Sequence, residues 1–268
     1  DRANGVCATN DGGVVVAGRV FDGLVSSAVA FKLSANGVQL WSRSFSGFDD
    51  GGYSIIRSSD GKFVMSGMTS IGAPMSIGVI KFDSASVYWG ASFGTSLQHF
   101  TGMNHQLLQT QDGGYVLSGT QGGGNSDLLI AKLSSGGALI WAKYYGTDSS
   151  DVGTAITASG NDLFVAGYTL SGNAPNVSYW PFLIKLNVSG SLQWAYKYGT
   201  VSSNIPSAIT SLPNGELMAG GRFATGSNIG SAAISNYDTS GNACKQKIAM
   251  DVNDGLSGSV YMAVSAAV

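Results

Sequence analysis

The stretch DGGYVLSGT, Asp112 to Thr120, reads as a tight turn running into a strand that carries a glycine in its middle. Glycine weakens a strand interior, so its presence there asks for a structural reason. The pattern returns along the chain. Five segments align, VVVAG (14–18), FVMSG (63–67), YVLSG (115–119), LFVAG (163–167) and LMAGG (217–221). Their glycines, Gly18, Gly67, Gly119, Gly167 and Gly220, are spaced by 49, 52, 48 and 53 residues. Before each stands a turn, NDGG, SDGK, QDGG, SGND or PNGE. Asp-Gly and Asn-Gly pairs favour the left-handed angles of a tight hairpin.

After each glycine a looser loop leads to a second apolar run: AVAFKLS, IGVIKFD, LLIAKLS, FLIKLN and SAAISNYD. Lys32, Lys81, Lys132 and Lys185 recur there, with Asn236 in the fifth copy. A further turn precedes a strand with Trp41, Trp89, Trp141 or Trp194, and the fifth copy has Lys245 instead. Each unit thus holds four short strands in about 50 residues, with no helical period between them. Four-stranded repeats of this length are built as propeller blades, because an isolated blade exposes both apolar faces and neighbours must stack to cover them. The expected fold is all-β, a β-propeller of about five four-stranded antiparallel blades. In that arrangement the glycines let adjacent blades approach near the axis, and the tryptophans fill the wider gap at the rim. A β-sandwich or β-solenoid of the same hairpins is the alternative architecture.

The segments DVGTAITASGNDLFVAGYTLSG, FLIKLNVSGSLQWAYKYG and DLLIAKLSSGGALIWAKYYG resemble the bacterial β-propeller repeat called SBBP. Its pattern is Gly-x-x-x-Asp, an aliphatic strand, then Gly-Asn-x-x-Val-x-Gly-x-Thr. The resemblance covers most of residues 1–250, best in the third and fourth copies and weakest in the fifth. It implies a propeller and no particular chemistry, since such repeats occur in secreted, cell-surface and structural proteins. It also implies seven blades where five copies stand, so part of a six- or seven-bladed ring remains the alternative. Residues 1–250 form the five-repeat propeller in this reading. Residues 251–268, with DGLSGSVYMAVSAAV, resemble an extra first strand opening a sixth repeat. That strand would pair with a partner or with further blades of a longer chain.

Composition narrows the function. Only 11% of the 268 residues are charged, against roughly 25% in ordinary soluble domains, and the formal net charge is -2. No basic cluster is present to neutralise a phosphate backbone, so nucleic acid is not an expected partner. No apolar run is long enough to insert into a membrane. A neutral skin of Ser, Thr, Asn and Gly does little to keep copies apart, as suits an extracellular or cell-surface subunit. Asn176 and Asn187 both fit the N-glycosylation sequon.

Candidate chemistry is sparse. A polar residue recurs before the first strands, and Asp50, Asp151 and Asp254 are the weak candidates for Ca²⁺, which takes six to eight oxygen ligands. The competing reading has each Asp capping its own turn. The longest connection, Ser171 to Phe182, carries Asn173, Asn176, Tyr179 and Trp180, where rings would stack on a sugar and amides would orient it. The bland alternative folds Trp180 back onto its own blade. His99 and His105 lack metal-ligand spacing, and Glu216 is the only glutamate, so paired-carboxylate chemistry would rest wholly on Asp. Cys7 falls on a first strand and Cys244 on a fourth, about 14 Å apart radially at about 4.8 Å per strand step, too far for a disulfide. The expectation is therefore a structural or interaction module of a surface or matrix assembly, not an enzyme and without a cofactor. Its partners are other protein subunits, the rest of a longer chain, or a glycan, the last making it a lectin-like propeller.

Overall fold

A computed structural model describes residues 1–24, 26–48, 51–69, 76–93, 106–121, 126–172, 178–198, 205–225 and 228–250. These form five four-stranded antiparallel sheets. The first holds β1 (Arg2–Ala8), β2 (Val14–Phe21), β3 (Ser26–Leu33) and β4 (Gln39–Phe45). The second holds β5 (Gly52–Arg57), β6 (Phe63–Thr69), β7 (Ser76–Phe82) and β8 (Val87–Phe93), and the third β9 (Gln106–Gln109), β10 (Tyr115–Gln121), β11 (Asp127–Leu133) and β12 (Leu139–Tyr145). The fourth comprises β13 (Asp151–Ser159), β14 (Asp162–Ser171), β15 (Ser178–Asn187) and β16 (Leu192–Lys197). The fifth comprises β17 (Ile205–Ser211), β18 (Leu217–Thr225), β19 (Asn228–Tyr237) and β20 (Ala243–Met250). Strands follow chain order across every sheet, so each repeat is one blade of a β-propeller.

Two compact units are present, Asp1–Gly123 with Ala131–Ala142, and Gly124–Ile130 with Lys143–Val268. In the first unit the opening strand β1 adjoins β5 and β5 adjoins β9, and in the second β13 adjoins β17. Core side chains lie between facing sheets. Val15 and Ala17 of the first blade meet Ile55, Phe63 and Met65 of the second, while Phe164 and Ala166 of the fourth meet Ile209, Leu217 and Ala219 of the fifth. The tryptophans occupy the expected gap beside the fourth strands. Trp41 packs against Phe63, Trp89 against Tyr115, and the Trp194 indole N–H donates to the Thr239 carbonyl at 3.3 Å. Gly137 (φ 84°) lies under Trp89, where a Cβ would come within 2.5 Å of the indole.

The repeated glycine has a different cause from the one expected. A Cβ on Gly18, Gly67 or Gly167 would lie 2.2, 2.3 or 2.2 Å from the carbonyl oxygens of Arg2, Gly51 and Val152, which enter the first strand of the same blade. A bulge sits at that point, after Ala3, Gly52 and Gly153 respectively, and turns the carbonyl over its neighbour. Crowding within a blade, not between blades, excludes a side chain. Register also corrects the fifth copy, where the glycine under a carbonyl is Gly221, below Ile205 O at 2.3 Å, rather than Gly220. Close approach between blades falls to Gly5 of β1, whose Cβ would meet the Tyr53 carbonyl of β5 at 3.0 Å.

The recurrent lysines have a partner that sequence alone left unnamed. Lys81, Lys132 and Lys185 lie 2.8, 2.7 and 2.8 Å from Asp60, Asp112 and Asp162 of the hairpin joining the first two strands of their own blades. Lys32 and Asp11 form the same pair. In the fifth blade Asn236 donates to Glu216 at 3.4 Å, so both partners change together. A buried ammonium is costly unless paired, and Lys132 is only 2% exposed. Each pair therefore ties the third strand to the first hairpin.

Cys7 is a free thiol, and burial pushes it up to about 11. The side chain of Cys244, both histidines, Asp50, Asp254, Asn173, Asn176 and the segment 251–268 lie outside the described residues.

Two outcomes follow for stability. Gly167→Ala forces a methyl into the Val152 carbonyl and is expected to cost about 2 kcal/mol or more in chemical denaturation. Gly90→Ala, where the new methyl would come no nearer than 4.0 Å to the Val79 carbonyl oxygen, changes stability by less than about 0.5 kcal/mol. Equal effects would remove the close-approach explanation. The Asp112 carboxyl is held down to about 2, first by Lys132 and then by Thr110. Because this value is below the ordinary carboxylate value of about 3.9, the pair's contribution is complete above about pH 5 and is lost as pH falls through about 2. Asp112→Asn should flatten that acid limb in urea melts taken at stepped pH; an unchanged limb would exclude the pair as its source.

Candidate functional site

Two strand openings meet in the second unit. The connection from β12 into β13 passes beside the start of β11, with the Asp151 N–H donating to the Ser126 carbonyl at 2.5 Å. Asp151 is 4% exposed. Its Oδ2 accepts from the Thr147 N–H at 2.6 Å and the Thr147 hydroxyl at 3.0 Å, the turn-capping arrangement. Gly146 lies between this carboxylate and that of Asp127. A Cβ there would be 2.1 Å from Asp127 Oδ1 and 3.2 Å from Asp151 Oδ2. The two oxygens are thus no farther apart than those two distances laid end to end. The two carboxylates therefore stand close together on either side of Gly146.

Beside Asp151 the third and fourth blades part to leave a cleft of about 220 Å³. Its walls include Leu128, Tyr145, Phe182, Ile184 and Tyr196, with Thr147, Thr169, Asp151 and Lys197 as polar points. The wall is set by the ladder. Phe182 stands opposite Gly167, and its ring fills the space a side chain there would take, with Cζ 2.4 Å from the Cβ position. Phe182 pairs with Lys197 and Ile184 with Ala195, so all four lie on one face of the sheet. Tyr145 closes the other side; its hydroxyl donates to the Gly190 carbonyl at 2.6 Å, and burial raises it to about 12. Apolar and aromatic walls with a few convergent polar groups suit a small organic ligand.

The predicted binding loop divides. Asn173 and Asn176 lie outside the described residues, whereas Tyr179 and Trp180 belong to β15 rather than to a loop. The hairpin extends to Ser171 on one side and begins again at Ser178, so Ser178 to Phe182 pair with β14. Tyr179 packs on Tyr168 of the same blade, ring centroids 5.4 Å apart. Trp180 stands opposite Thr169, on the face that carries Phe182, and the Lys197 ammonium lies 4.6 Å over its ring. Lys197 therefore joins Trp180 to the cleft. Asn187 uses its Oδ1 to accept from the Ser189 and Ser191 N–H groups, at 3.1 and 2.9 Å, capping its turn. Among the described residues no three His, Cys, Asp or Glu side chains cluster as metal ligands, and Asp151 meets Thr147 instead.

Sequence reasoning passed over Asp127, although a signal was available. Five residues before the recurrent lysine the copies carry Ser27, Ser76, Asp127 and Trp180, and Ser231 precedes Asn236 by the same interval. Serine is kept in three blades and lost in the two that enclose the cleft.

No protein-family model and no curated protein matches the sequence. Solved structures do match by shape. One is a protein of unknown function from Dyadobacter fermentans DSM 18053, with TM-score 0.54 and 10% identity over 89% of this chain and 73% of its own. A GH43 β-1,3-galactosidase matches with TM-score 0.51 and 13% identity over 85% of this chain, which spans 54% of that protein's length. A protein assigned as an exo-β-1,3-galactanase of Bifidobacterium bifidum s17 matches with TM-score 0.51 and 12% identity over 96% of this chain and 93% of its own. At such identities the likeness is one of fold. It nevertheless overturns the expectation that the chain is not an enzyme, because two proteins with this blade architecture are glycosidases by description. The scarcity of glutamate carried little weight, since Asp127 and Asp151 come together without it.

Proposed function

We propose that the protein is a carbohydrate-recognising propeller that takes one sugar ring into the cleft between its third and fourth blades. The observation that carries this reading is the cleft itself. Its volume of about 220 Å³ is of the order of a single hexose, and its walls are aromatic and aliphatic with Thr147, Thr169 and Asp151 at one end. A pyranose needs an apolar surface for its C–H face and acceptors for its hydroxyls, and the cleft supplies both. The replacement of the repeat serine by Asp127 and Trp180 in these two blades alone supports a site there. So does the galactoside chemistry of two proteins of similar fold. The low charge fits work outside the cell among polysaccharides.

A second reading, glycoside hydrolysis, is favoured by one observation, the closeness of the Asp127 and Asp151 carboxylates around Gly146. In a retaining mechanism one carboxyl protonates the leaving oxygen while the other attacks the anomeric carbon, and water then releases the sugar.

Titration calorimetry with β-1,3-galactobiose, backed by a glycan array, tests both. Binding is expected in the wild type and a loss of at least about tenfold in Phe182→Ala, which strips the aromatic wall of the cleft, with a thermal melt confirming that the variant stays folded. Binding that survives this change and Thr169→Val together would place the ligand elsewhere. Release of galactose by the wild type and not by Asp127→Asn would establish hydrolysis. Tight binding with no release would leave a lectin.

A further inference from the structure

The lysines whose side chains are described are almost all spoken for. Among the described residues, the ammonium groups of Lys32, Lys62, Lys81, Lys132 and Lys185 rest on aspartate. Lys143 donates to the carbonyls of Ser189 and Gly190, at 2.9 and 3.0 Å. Lys197 differs. Its ammonium rests on the ring of Trp180 at 4.6 Å, and it lines the cleft. The indole holds the cation by its face without neutralising it, so a full positive charge is positioned at the cleft and available. In a protein with only 14 Lys and Arg residues and a net charge of -2, such a charge is not background. The one carboxylate lining the cleft, Asp151, already has Oδ2 taken up by Thr147. A ring held against Phe182 would therefore meet acceptor oxygens from Asp151 and Thr169 and a cation from Lys197.

We propose that the cleft's ligand is an acidic saccharide, a hexuronate whose carboxylate pairs with Lys197 while its ring lies on the Phe182 wall. Trp180 is the positioning residue, since it fixes the ammonium that would otherwise swing freely on its four-carbon stem. This rests on the carbohydrate reading above and deepens it to a substrate class.

The test compares galacturonate-terminated with galactose-terminated disaccharides by titration calorimetry on the whole chain. At low ionic strength the acidic sugar is expected to bind roughly fivefold tighter, the size of a partly exposed ion pair, and the gap should narrow as salt is raised. Lys197→Met is expected to abolish the gap, bringing the acidic sugar down to the affinity of the neutral one, and Lys197→Arg to keep it. Trp180→Leu should shrink the gap without removing the charge. Equal affinity of the two sugars, or a gap that survives Lys197→Met, would overturn the inference and leave the carbohydrate reading standing. No binding of either sugar would overturn both.

Discussion

A strand that opens with a bulge carries a peptide carbonyl over its neighbour, and only glycine fits beneath it. In the fourth blade this contact is Val152 O above Gly167, and it does more than seal a sheet. The same bulge follows Gly153, where a side chain would strike Leu128 of the neighbouring blade, at 2.3 Å from its Cδ1. Two bare positions thus let the opening of β13 lie close against β11. That closeness brings Asp151 to Ser126 and Gly146, and it sets one end of the cleft. Phe182 can lie flat in the wall for a related reason, because Gly167 opposite it is bare on both counts.

Blade number and strand order were legible in the sequence because hairpin chemistry is local. Asp-Gly and Asn-Gly turns, an alternating apolar run and a lone tryptophan each need only their own neighbourhood to be read. The glycine's true partner was not legible, because a bulge is a shift of register across strands and leaves no mark in one segment. The fifth copy shows this plainly, where adjacent Gly220 and Gly221 look interchangeable and pairing alone selects the second. The lysine–aspartate pairs were half visible. Both residue types recur in the first four repeats, but about 20 residues separate them, and only the blade brings them together.

The site was less legible than the fold for a reason that belongs to repeats in general. A repeated position advertises structure, whereas function sits where the repetition fails. Trp180 drew notice as an aromatic in a long connection, yet it matters as the residue standing where other copies keep serine. Asp127 is the same kind of departure one blade earlier. Trp180 could not be linked to Lys197, Phe182 or Thr169 before the ladders of β14, β15 and β16 had placed them on one face, nor Asp127 to Asp151 before Gly146 stood between them. The expectation of a non-catalytic module, overturned by the glycosidases of similar fold, rested on a search for local catalytic spacing, whereas a propeller brings side chains together from separate blades.

The central claim is that the cleft between the third and fourth blades, beside these two departures from the repeat, is a sugar site. A crystal structure grown with a galacturonate disaccharide tests it most directly. The account predicts a sugar ring against Phe182, hydroxyls toward Thr169 and Asp151, and a carboxylate on Lys197 with the Trp180 ring beneath. A sugar ordered on any other surface while this cleft stays empty would contradict it.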